Sequence, residues 1–196
     1  MAQVEIKPFS WHRMSEAIDA VRRRLNRAAE ALAEAEVRYA VAGGNAVAAW
    51  VTKVDRAAVR FTQDVDLLVQ RGDLNRIRLV LGEAGFVYRH ARGLDMFLEG
   101  PQAKARDAVH LIYTGEKVQA DHVTAAPLLD QSQADGGLQI VSLEALVEMK
   151  LNSYRRKDQV HLLDMIDVGL IDTSWLGRVP AELSGRLLTL LNDPDG

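Results

Sequence analysis

The 196-residue chain is long enough to bury a proper core, and its 48% hydrophobic and 26% charged residues are an ordinary globular mix that excludes a disordered or low-complexity polypeptide. It has no cysteine, so a disulfide framework, a thiolate metal site and a cysteine nucleophile are excluded. A net charge of −3 offers no global field for a polyanion, and no apolar run approaches membrane-spanning length. These features, with an N-terminus lacking a secretory pattern, lead us to expect a soluble cytoplasmic protein without a membrane partner.

Along residues 14–37, Met14, Ile18, Val21, Leu25, Ala28, Leu32 and Ala35 recur at steps of three and four, which predicts an amphipathic helix. Its cluster Arg22, Arg23, Arg24 and Arg27 reads as a solvated face. Residues 39–42 read as a short buried strand, stopped by Gly43-Gly44, after which Asn45 is placed to cap a helix over 46–51. Alternation over 64–69 predicts a strand with Val65, Leu67 and Val69 on one face and Asp64 and Asp66 on the other. A helix over 73–83 follows, then strands near 86–88, 96–98 and 108–113. Residues 119–137 are small and polar and read as a surface connection, so the expected boundary separates a core, 1–137, from a C-terminal helical region, 138–196. In that tail Ser142 caps a helix over 143–154, a second helix spans 158–168, and Pro180 opens a third.

Two carboxylates at i and i+2 on a strand project side by side, as shared ligands of closely spaced divalent cations must. Asp64 and Asp66 have that spacing, and their hard oxygens suit Mg²⁺, which usually completes its shell with substrate phosphates. The same pair can also be two exposed aspartates on an outer face. Aspartate is disfavoured in strands, however, and two crowded like charges call for a cation. Gly43 and Gly44, between a strand and a helix, can cradle a phosphate or simply make a tight turn. If the strand begins early, Arg60 and Thr62 share the period of Asp64 and Asp66 and point the same way.

The runs Gly43-Gly44-Asn45-Ala46 and Arg60-x-Thr62-x-Asp64-Val65-Asp66-Leu67-Leu68-Val69 resemble the signature of the nucleotidyltransferase fold superfamily. Within it, the chain is similar to the bacterial group of AbiEii-like toxins and small nucleotidyltransferases, whose C-terminal helices carry a lysine and a Lys-Asp motif. Here these fall at Met149-Lys150-Leu151 and Arg156-Lys157-Asp158. The resemblance implies an α/β (α+β) fold, a nucleotidyltransferase-like mixed β-sheet flanked by helices with a helical C-terminal part. It also implies a Mg²⁺-dependent transferase, with one or two ions, that moves a nucleoside monophosphate from a triphosphate such as ATP to an acceptor.

On that reading Gly43, Gly44 and Asn45 hold phosphate, with Arg60, Thr62, Lys150 and Lys157 as further nucleotide-binding residues, and Asp64 and Asp66 hold metal. The acceptor is a small molecule, a protein or an RNA. The family's third carboxylate, on a later strand, falls here at His110, which as a neutral imidazole can bind metal or take a proton. It can equally be a histidine satisfied within a half-buried strand. Asp95, Asp107 and Glu116 are the nearby carboxylates able to complete the site instead. Two other readings follow: a weakened or inactive protein of the same fold that binds nucleotide, and an interaction protein whose amphipathic helices dock an antitoxin or a second copy.

Overall fold

The computed structural model describes residues 8–100 and 103–193. Among them run six α-helices and seven strands: α1 Trp11–Glu34, β1 Tyr39–Ala42, α2 Gly43–Thr52, β2 Val65–Val69, α3 Leu74–Glu83, β3 Val87–Ala91, β4 Leu94–Leu98, β5 Val109–Tyr113, β6 Ser132–Asp135, β7 Leu138–Val141, α4 Leu143–Ser153, α5 Arg156–Asp167 and α6 Ala181–Asn192. No helix among the described residues is long and apolar enough to cross a membrane.

The strands form one mixed sheet in the order β3-β4-β5-β2-β1-β7-β6. Strands β1 and β2 are antiparallel, whereas β2 and β5 run parallel, with Asp66 opposite Ala42 on one side and opposite His110 on the other. The central strands lie under helices on both faces, which is why β1 is buried throughout and β2 at every position but Asp66. One main core holds Leu32, Leu67, Leu68, Ile77 and Phe97 together with Leu146, Leu151, Leu162 and Met165, so the C-terminal helices pack into the same apolar mass as the sheet.

Helix boundaries follow their caps. Helix α1 begins three residues before the sequence expectation because the Ser10 hydroxyl accepts from the Arg13 N–H at 3.4 Å. Helix α4 begins as expected, with Ser142 accepting from the Ala145 N–H at 3.2 Å, and ends on Tyr154 in a left-handed conformation. Helix α2 begins at Gly43, so Asn45 lies in its first turn and is not its cap. The stretch read as a plain surface connection contains β6, and Gly136 and Gly137, both at positive φ, turn it into β7. Strand β7 then pairs with β1 and extends the sheet beyond residue 137. The alternation there was hidden because β6, Ser-Gln-Ala-Asp, is an edge strand with no fully buried position.

Candidate functional site

Irregular chain carries the first carboxylate and regular sheet the second. Residues 56–64 do not extend β2: Asp64 lies just ahead of its first residue, Val65, and Asp66 lies within it. The backbone leading in is tied at both carbonyls. Arg24, buried on α1, donates from Nη1 to the Gln63 carbonyl at 2.9 Å, and Asn45 donates from Nδ2 to the Asp64 carbonyl at 2.8 Å. Arg24 also donates from Nε to Glu99 at 2.8 Å. It therefore leaves the solvated face to which the arginine run assigned it. A charged run is a poor guide to one member that finds a buried carbonyl.

The glycine pair is dictated by contact. A Cβ on Gly43, which has φ +62°, would lie 1.9 Å from Asp66 Oδ2, and one on Gly44 would lie 2.8 Å from the Thr62 Cβ. Gly43 thus makes room for a carboxylate and Gly44 for the threonine that serves the other carboxylate, since the Thr62 hydroxyl donates to Asp64 Oδ1. No side chain among the described residues caps α2, so its first N–H groups remain open to an anion beside the acidic pair.

His110 joins them through the sheet. Its Nε2–H donates to the Ala105 carbonyl at 2.9 Å, which leaves Nδ1 as the lone-pair nitrogen of the neutral ring, 3.6 Å from Asp66 Oδ1. Once Nδ1 takes a proton it donates to Asp66, and that hydrogen bond raises the His110 pKa against the opposing effect of burial. Ligand atoms of Asp64, Asp66 and His110 all lie within 4.8 Å of one another. Two hard carboxylates, an imidazole fixed by a backbone carbonyl and a glycine that clears space beside Asp66 are a donor set that fits a divalent cation. Asp95, Asp107 and Glu116 do not join it. Asp95 is buried on the other sheet face and accepts from Tyr88, Tyr113 and His90, Glu116 pairs with Arg71, and Asp107 sits in a short turn beside Arg106.

The C-terminal helices bring the cations. Lys157, in the first turn of α5, places Nζ 3.5 Å from Asp64 Oδ2. Burial pushes the Asp64 carboxyl up, but the Thr62 hydroxyl and the Lys157 ammonium outweigh it, and the net shift is downward. Lys150 is buried on α4 and bonded to Asp158 at 3.0 Å. Asp158 also accepts from Arg155 Nε at 2.8 Å and from the Arg155 backbone N–H at 3.3 Å, so it caps α5 and holds Lys150 at once. Despite burial, these contacts keep its pKa well below the usual carboxylate range. Arg60 is drawn away, donating from Nε to Asp164 on α5 at 2.7 Å, because the strand needed to aim it at the aspartates does not form.

These elements enclose a cavity of about 220 Å³ whose lining includes Gly43, Asp64, Asp66 and His110 and, as a second group, Val118, His122, Met149 and Asn152. The second group went unnoticed in the sequence, since no motif marks apolar and amide residues of a loop and a helix as neighbours.

Compared by sequence, the chain matches no family model and no curated protein. Compared by structure, it is similar to the antibiotic-resistance factor ANT(2'')-Ia, with TM-score 0.52 and 13% identity over 91% of this chain and 92% of that one. It is similar to a protein of H. pylori described as a nucleotidyltransferase, with TM-score 0.50 and 14% identity over 92% of this chain and 78% of that one. It is also similar to the Megavirus polyadenylate synthase, with TM-score 0.52 and 10% identity over 85% of this chain and 40% of that one. The chain adopts the fold of the nucleotidyltransferase superfamily.

Proposed function

We propose that the protein transfers a nucleoside monophosphate from a nucleoside triphosphate to an acceptor hydroxyl, with Asp64, Asp66 and His110 at the reacting centre. The observation that carries this reading is the convergence of those three ligand atoms, within 4.8 Å, beside the uncapped start of α2. A Mg²⁺ ion held by Asp64 and Asp66 would supply charge neutralisation and alignment of the phosphates. The open N–H groups of α2 and the exposed Lys157 would bind the phosphate oxygens, Lys157 exchanging Asp64 for substrate. The acceptor oxygen would attack the α-phosphorus while the bond to the β-phosphate oxygen breaks and pyrophosphate leaves. Its proton would pass to Nδ1 of His110, whose other nitrogen is committed to Ala105. Lys150 and Asp158 would hold the first turn of α5 in place without touching substrate.

A second reading, a nucleotide-binding protein of weakened or no activity, is favoured by one feature, the imidazole of His110 where the resemblance expects a carboxylate. Calorimetric titration of ATP, GTP, CTP and UTP with Mg²⁺ tests the site. Binding that needs the metal and disappears in the Asp64→Ala/Asp66→Ala protein is expected. Folded wild-type protein that binds no triphosphate overturns the proposal, and binding without pyrophosphate release in the presence of acceptors selects the second reading.

A further inference from the structure

The sheet order separates the two ends of the cavity. The glycine pair follows β1, the carboxylates belong to the start of β2, His110 to β5, and Leu94 to β4, so everything beyond His110 lies across the carboxylates from the glycines. Ile112 shares the face of His110 two residues on, about 7 Å along the strand. Leu94 precedes by two the Met96 that pairs with His110, and Val118 of the β5-β6 loop and Met149 of α4 line the same cavity.

Charge around the cavity is already matched. The carboxylates lining it are Asp64, Asp66 and Asp158; the first two lie at the metal position beside Lys157, and the third is neutralised by Lys150 and Arg155, which line the cavity as cations. No carboxylate is left to receive an ammonium, and an ammonium buried against Ile112 and Met149 would lose its hydration without compensation. The loop is also built to hold its shape. Asn152, buried on α4, accepts from the Val123 N–H at 2.8 Å and donates to the Thr124 carbonyl at 2.8 Å.

We infer that this wall is the acceptor subsite and that it takes an uncharged, largely apolar body bearing a hydroxyl, not a polycation. The inference rests on the transferase reading for its naming of an acceptor. A cavity of about 150 Å³ in a protein interior accepts benzene, so about 220 Å³ holds a reacting end plus one or two apolar rings. A ring seated over Ile112 brings its hydroxyl towards His110.

The test uses the full chain and two probes, 2-naphthalenemethanol, which is uncharged and aromatic, and tobramycin, a polycationic polyol, followed by ligand-observed NMR and calorimetry. Naphthalenemethanol is expected to bind wild-type protein and to bind at least tenfold more weakly to Val118→Asp. Val118 is 44% exposed, so the aspartate there leaves folding intact, and Val118→Leu should retain the probe. Tobramycin binding more tightly than naphthalenemethanol, equal naphthalenemethanol affinity in Val118→Asp, or displacement of this probe by ATP with Mg²⁺ overturns the inference, the last by assigning the wall to the nucleobase. Loss of ATP binding in otherwise folded wild-type protein, with probe binding intact, refutes the transferase reading while leaving the apolar subsite standing.

Discussion

Replacing Gly43 by alanine separates two reasons for a glycine at the start of α2. A phosphate cradle alone would lose ligand affinity and keep its stability. The structure assigns a further role, since the added Cβ meets Asp66 Oδ2 at 1.9 Å, its Cγ at 2.7 Å and its Cβ at 2.9 Å. Rotating the carboxylate relieves the first two contacts and not the third, so either β2 or the helix start must shift. Overpacking of this kind costs about 1–3 kcal/mol, and the left-handed φ of +62° costs an alanine a further ~1–2 kcal/mol. The sum is roughly 2–5 kcal/mol, or at least about 4 °C of Tm for a chain of this size. Gly82 is the control, because it lies within α3 with nothing within 4 Å of its Cβ position. Gly82→Ala should be about 0.5–1 kcal/mol more stable than wild type. Thermal unfolding of both variants, with Mg²⁺-ATP calorimetry, checks this: Gly43→Ala should lose stability and at least tenfold in affinity together. A Gly43→Ala protein as stable as wild type, with ATP binding intact, would refute the packing argument.

Lys150→Met removes one partner of a buried ion pair and should destabilise by about 3 kcal/mol or more in chemical denaturation. Asp158 has a lowered folded pKa, so the stability wild type holds over Asp158→Asn should be complete above about pH 4 and shrink as pH falls further. His161 is held neutral, its pKa pushed by burial and by Lys150 down to about 4, and its Nδ1 has no partner among the described residues. Between about 6.5 and that value only the unfolded chain takes the proton, so wild-type stability should decline as pH drops through this window, and His161→Phe should flatten the decline. Asn152→Ala should leave the Val123 N–H unpaired and, at about 1–3 kcal/mol, speed amide exchange in residues 118–126 without abolishing Mg²⁺-ATP binding.

Much of this was legible because its signals are local. The period of α1, the alternation of β2, the Ser142 cap and the Asp64-Val65-Asp66 spacing depend only on chain neighbours, and they already placed two carboxylates behind a glycine pair. The period of β5 set His110 opposite Val109 and Leu111, but that this face is the one turned to Asp66 came from the fold. What distance in sequence concealed is who meets whom. Arg60 was aligned with the aspartates on the premise of a longer strand, but residues 56–64 are irregular and Asp164, 104 positions on, takes its guanidinium. Arg24 was counted among solvated charges until the fold offered it the Gln63 carbonyl. The reason for Gly43 and Gly44 lies in Asp66 and Thr62, about twenty residues away, and the apolar wall joins β4, β5, a loop and α4. Periodicity and capping act over one or two turns and were set by the amino-acid order alone. The exclusion of a Cβ by a carboxylate and the neutralisation of Asp158 by Lys150 are contacts through space, which only the tertiary structure could decide.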